Sequence, residues 1–215
     1  NDPKTSNSVP AEVRNCYNTG NVSGNYVGGV VGENKSGCTV ENCYNTGDVN
    51  CTTQGGDTGG VVGHNSGTVT DCYFLKTADV NDKLQGIGDG SGVASNVEPK
   101  TAKDFHSGEV AYLLQGTQTT PVWGQNIGED KSPVLTSDQE KNVYKVTINL
   151  NDSDSTENET RYTNSDLQAL TPTREGYTFD GWYDNQECTG ERVTAIIEDT
   201  TILYAKWIEA TPEPT

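Results

Sequence analysis

Up to residue 74 the apolar positions recur in short clusters, not along a helical stripe. Val13 stands three residues before Cys16-Tyr17, Val40 before Cys43-Tyr44 and Val69 before Cys72-Tyr73, with the cysteines 27 and 29 residues apart. The surrounding string returns with them: Asn15-Cys16-Tyr17-Asn18-Thr19-Gly20 reappears as Asn42-Cys43-Tyr44-Asn45-Thr46-Gly47 and, degraded, as Asp71-Cys72-Tyr73-Phe74. A second block, Gly28-Gly29-Val30-Val31-Gly32, reappears as Gly59-Gly60-Val61-Val62-Gly63, each followed by an Asn–Gly turn signal. Units this short and glycine-rich cannot bury a core alone. Two short β runs per unit must stack on the next unit about 4.8 Å away, so that like side chains fall above one another. The pattern predicts a short β-solenoid whose dry interior holds a ladder of Cys16, Cys43 and Cys72 with Val30 and Val61, while asparagine ladders satisfy the turns. Valine and cysteine three apart have opposite parity in a flat strand. Either the tyrosine points inward or the strand kinks at Asn42 and its equivalents.

Beyond Leu75 the period is lost. Asp79 to Gly92 reads as loop from its Gly and Asp-Gly punctuation. Thr101 can cap one or two short helices over 101–115, with Phe105, Val110, Leu113 and Leu114 on an apolar face and Gly116 as the stop. Val122-Trp123, Ile127 and Val134-Leu135 add anchors. The segment is expected to cap the solenoid's last coil, so residues 1–135 form one domain and the polar stretch 136–142 a linker. From 143 the pattern changes again: Tyr144, Val146, Ile148 and Leu150 alternate as a half-buried strand, and the acidic run 151–160 reads as a hairpin loop. Tyr177-Thr178-Phe179, Trp182-Tyr183 and Thr201 to Trp207 supply further strands of a second domain over 143–208. Residues 209–215 are a Pro/Thr/Glu spacer.

Composition narrows the class. The chain carries 31 Asp and Glu against 14 Lys and Arg, a net charge of −17, and each of its segments is net negative. A nucleic-acid binder needs clustered basic residues, and docking on anionic lipid needs the same. No apolar run reaches ten residues, so no direct membrane insertion is expected. The chain begins without Met and reads as a piece of a longer protein, with any targeting segment outside it.

The motif halves Gly-Gly-Val-Val-Gly and Asn-Cys-Tyr-Asn-Thr-Gly over residues 12–74 resemble the GLUG repeat of bacterial surface proteins, and 103–135 is similar to the stretch that often follows such repeats. The resemblance implies a secreted or wall-attached protein, as in some ectodomains of the IgA-specific metalloendopeptidase class, and brings no catalytic residues. Gly176-Tyr177-Thr178-Phe179-Asp180-Gly181-Trp182-Tyr183 with Leu203-Tyr204-Ala205-Lys206-Trp207 resembles the Listeria–Bacteroides repeat of internalin-type proteins. That implies a small β-grasp fold in a spacer or weak interaction module.

Chemistry is sparse. Cys38 and Cys51 each lie in an insertion of the same repeat, which suggests a local disulfide. Cys188 is a lone thiol. His64 occupies the slot that Glu33 fills one repeat earlier, and no zinc-type spacing exists, so no metal site is assigned. The loop acids Asp79, Asp82 and Asp89, and Asp152, Asp154 and Glu157, do not fit a calcium-loop pattern. Tyr177, Trp182 and Tyr183 could stack on a glycan, although core packing accounts for them as well. The expectation is therefore a mainly β chain, a solenoid with a small helical cap followed by a β-grasp domain, with no cofactor and no catalysis. It is expected to act outside the cell, attached to its surface or wall, as an adhesin, binding stalk or spacer, and as a monomer toward a host or cell-surface protein or glycan. An accessory region of a secreted or wall-attached protease or glycosidase, and a carbohydrate-binding module, are the alternatives.

Overall fold

The computed structural model describes residues 10–76, 84–152 and 157–210. It is mainly β and divides into two compact units, residues 1–102 and 103–215.

The first unit is a β-solenoid of about 3 turns. One coil comprises β1 (Glu12–Arg14), β2 (Tyr17–Asn18), β3 (Val22–Gly24), β4 (Val27–Gly28) and β5 (Val31–Asn34). The next comprises β6 (Thr39–Glu41), β7 (Tyr44–Asn45), β8 (Val49–Cys51) and β9 (Thr58–Asn65). Then come β10 (Thr68–Leu75), β11 (Gln85–Asp89) and β12 (Val93–Lys100). Every pairing between these strands is parallel, and the register puts equivalent residues over one another: Val13, Val40 and Val69; Tyr17, Tyr44 and Tyr73; Val31, Val62 and Ile87.

The parity conflict is resolved by a kink. Asn15, Asn42 and Asp71 have φ of 52°, 52° and 51°, and Asn96 repeats it at 53°. Asn and Asp adopt this left-handed backbone at least cost because their short polar side chains bond locally. Asn96 Nδ2 donates to Asp71 Oδ1 at 2.7 Å. With the chain turned there, Val40 and Cys43 both reach the interior, as do Val69 and Cys72, and all four are at most 1% exposed. The glycine blocks answer to close approach: a Cβ on Gly59 would lie 1.9 Å from the Val62 carbonyl oxygen, and one on Gly60 would lie 2.4 Å from the Phe74 ring.

Two expectations are corrected here. Asp79 to Gly92, expected as loop, holds β11, which pairs with β9, and β12 directly after it pairs with β10, so the coils run on without the motif. Ile87 takes the slot below Val62, and Val97 the slot below Cys72, which supplies the apolar contact the interior needs. Asp79 to Asp82 lie outside the described residues.

The second correction concerns 103–142, expected as a cap and linker. These residues belong to the second unit. α1 (Ala102–His106) buries Phe105, and α2 (Glu109–Gln115) buries Val110, Ala111 and Leu114. β13 (Trp123–Gly124) and β14 (Val134–Leu135) form a hairpin, followed by a 3-10 turn at Gln139–Lys141. A four-stranded sheet follows, in the order β16 (Asn158–Thr163), β15 (Tyr144–Asn149), β18 (Thr200–Glu209), β17 (Tyr177–Tyr183). β15 and β18 run parallel and the outer pairs antiparallel. Its core is Val146, Ile148, Leu167, Leu170, Trp182, Ile196, Leu203 and Ala205.

Asn164 ties the two parts of this unit together. Its Oδ1 accepts from Ile127 N at 2.9 Å, and its Nδ2 donates to the carbonyls of Gln125 at 2.8 Å and Asn142 at 3.0 Å. Gln125 N also donates to Lys141 O at 2.9 Å. Further along, Tyr112 donates to Asp199 at 2.7 Å, and that bond, with burial second, pushes the phenol up to about 12. Residues 136–142 are thus pinned at both ends and cannot serve as a free linker.

Substitutions at two positions test these arrangements by urea denaturation. Asn42→Val, a β-branched residue forced into the left-handed region, is expected to cost the first unit about 1–2 kcal/mol, while Asn42→Gly is expected to be close to neutral. Asn164→Ala leaves a donor and two acceptors short of partners and is expected to cost the second unit about 2–3 kcal/mol.

Candidate functional site

The cysteine ladder is a chain of thiols threaded on the kinked residues. Cys16, Cys43 and Cys72 each donate to the carbonyl two residues earlier, Arg14 O at 3.2 Å, Glu41 O at 3.1 Å and Thr70 O at 3.1 Å. The left-handed residue between donor and acceptor turns that carbonyl back toward the sulfur. Cys43 and Cys72 are fully buried, whereas Cys16 is exposed. The hydrogen bond with Cys43, then burial, pushes the Cys72 thiol far above the ordinary thiol range. Held protonated in this way, Cys72 is a packing group, whereas the same hydrogen bond lowers the Cys43 thiol. Val61 is fully buried beside them, and Val30 is half-buried against the same cluster.

The suggested Cys38–Cys51 bridge does not form; both are free thiols. Cys38 O accepts from Thr68 N, just beyond the end of β9, while the Cys51 sulfur lies against Gly56, just before its start. The eight residues of β9 separate those two points. At about 3.3 Å per residue that is on the order of 20 Å, far beyond the roughly 7 Å limit for bridging.

Stacking does bring together a group that the sequence reading set aside. His64 in β9 pairs in register with Glu33 in β5 and with Asp89 in β11. Asp57, one residue before β9, places Oδ2 3.0 Å from His64 Nδ1. One ligand atom from each of Asp57, His64 and Asp89 lies within 4.8 Å of the other two. Asp57 and His64 are partly buried, and the exposed Asp89 has no hydrogen-bond or ion-pair partner among the described residues. Glu33 is turned toward Lys35 at 4.0 Å and stands outside the group. His64 was visible in the slot that Glu33 fills one repeat earlier, but Asp89 read as a loop acid, and Asp57 carried no signal, since its counterpart on the preceding coil is not acidic.

In the second unit the aromatic platform is not assembled. Trp182 and Tyr183 are 3% and 4% exposed, and Trp182 packs edge-on against Phe179 at 5.2 Å. Tyr177 is half-buried beneath the Arg174 guanidinium, 4.0 Å from its ring centre. Rings so placed carry the core and offer no open face to a sugar. A groove of about 600 Å³ is lined by Ile127, Ile148, Leu150, Tyr162, Leu170 and Pro172 together with Lys103, Asp104, Glu109 and Arg161. No histidine or cysteine borders it. His106 is exposed and bonds the Asp130 carbonyl at 3.1 Å. Asp154 lies outside the described residues. No helix among the described residues is long and apolar enough to cross a membrane.

Alkylation of the native, unreduced protein followed by mass spectrometry checks the thiol assignments. Cys16 is expected to react first, and Cys43 and Cys72 about a hundredfold or more slowly, because reaching them requires opening the coil. All six cysteines are expected to be alkylated once the chain is unfolded without reductant.

Two family models match the chain. Residues 144–206 match the Listeria-Bacteroides repeat domain, and residues 23–50 match the GLUG motif. No curated protein and no solved structure matches. The solenoid carries the second of these motifs on β3 to β8, and the first covers the four-stranded sheet except the last three residues of β18. The chain therefore joins a GLUG-bearing solenoid to a Listeria-Bacteroides repeat domain, two repeat modules typical of bacterial surface proteins.

Proposed function

We propose that this chain is a non-catalytic extracellular module of a bacterial cell-surface protein, monomeric, acting as a binding stalk or spacer in adhesion to a host or cell-surface protein or glycan. The observation that carries this reading is the pairing of two surface-type repeat modules in one chain. The physics of the first unit agrees with it. Each coil bonds only to its neighbours, so such an array gains length by adding coils without a new kind of interface. The strong negative charge keeps such a module solvated and discourages self-association. We read the second unit as a small β-grasp, supported by its order β16-β15-β18-β17 with the parallel pair at the centre.

Brief protease treatment of intact cells of the source bacterium tests the location. Peptides from this chain are expected in the released fraction before lysis, and their release only after lysis overturns the reading. The purified chain is expected to stay at the buffer blank with protein and polysaccharide substrates. Turnover that one substitution removes while the fold persists would make it an enzyme.

A further inference from the structure

We propose that Asp57, His64 and Asp89 form a binding site on the solenoid for one divalent transition cation of the zinc class. The donor set, one imidazole and two carboxylates, is of the borderline kind that suits zinc and its neighbours, whereas calcium is held by oxygen alone. The geometry is near to what such an ion requires. Two ligands each about 2.1 Å from a tetrahedral zinc ion lie about 3.4 Å apart, and Asp57 Oδ2 and His64 Nδ1 are 3.0 Å apart. The widest separation in the group is within 4.8 Å. Bringing Asp89 from that bound to the tetrahedral spacing takes an inward swing of up to about 1.4 Å, which closes the set. Asp89 is free to make that movement, being exposed and unpartnered among the described residues.

Backbone register holds the ligands in place. Asp89 and His64 are directly paired across parallel strands. The glycines on either side of Asp89 let β11 lie tight on β9: a Cβ on Gly88 would come within 2.5 Å of the Gly63 carbonyl oxygen, and one on Gly90 within 2.0 Å of that of Asn65. The strand bearing Asp89 is therefore seated against the one bearing His64, and a cation would clip the two coils together.

Calorimetric titration of the full chain with Zn²⁺, and absorption titration with Co²⁺, test the site. One saturable equivalent is expected, with visible cobalt bands and no thiolate charge-transfer band in the near ultraviolet. His64→Gln and Asp89→Asn are each expected to weaken binding about tenfold or more, Asp89→Asn while leaving the metal-free melting temperature unchanged. The proposal is overturned if binding does not saturate by about 1 mM, a range in which a specific site registers as a rise in melting temperature. It is equally overturned by undiminished affinity in either variant, by a thiolate band that moves the ion to the cysteines, or by Ca²⁺ binding as tightly as Zn²⁺.

Discussion

A left-handed backbone at one residue per coil governs the first unit. Without the turn at Asn15, Asn42, Asp71 and Asn96, valine and cysteine three positions apart would face opposite sides of the strand, and one of each pair would meet water. With it, a repeat that has few apolar residues places both Val40 and Cys43, and both Val69 and Cys72, inside. The same turn folds a backbone carbonyl toward each repeated thiol, so Cys43 and Cys72 enter the interior with their weak donors used. Small side chains are then required opposite. Gly29 stands against the Asn45 amide and Gly60 against the Phe74 ring, each where a Cβ would fall within 2.4 Å of its neighbour.

The second unit is organised differently. Its sheet has an apolar side built from Val146, Ile148, Leu203 and Ala205, closed by Trp182 and Leu170. What precedes the sheet is attached by polar contacts. Gln125, fully buried, holds that segment together by donating to the carbonyls of Phe105 and Asp130, and Asn164, from the end of β16, makes the junction with the sheet. Side-chain amides suit this work because each offers donors and an acceptor to irregular backbone that has no sheet partner. The β17 strand shows the same economy at its bulge, where the extra residue Asp180 is turned toward Arg192 and Lys206.

Much of the solenoid was legible because its signal is repetition itself. Val13, Val40 and Val69, the tyrosines, and the shared slot of Glu33 and His64 all align as their spacing implies. The coil formed by β11 and β12 was hidden because its side chains drift: Ala94 replaces the valine, Val97 the cysteine and Glu98 the tyrosine. Only Asn96 and Ile87 keep their chemistry. The disulfide expectation failed because insertion lengths say nothing of where in space two loops end up, and β9 runs between them. The boundary was misplaced for a related reason: proximity in sequence suggested that 103–135 would cover the preceding coils, whereas Asn164, 22 residues beyond Asn142, holds that segment. The Asp57–His64–Asp89 group could not be read at all without the stacking that unites residues from two coils.

In-register parallel stacking also bears on how such a chain changes over generations. The step from Cys16 to Cys43 is a structural period that sets Val13 over Val40, Tyr17 over Tyr44 and Val22 over Val49. An in-frame duplication of that stretch of the gene would insert a coil that stacks through the same valine and tyrosine positions. Reach could therefore grow or shrink by recombination between copies, with no compensating substitution elsewhere in the protein.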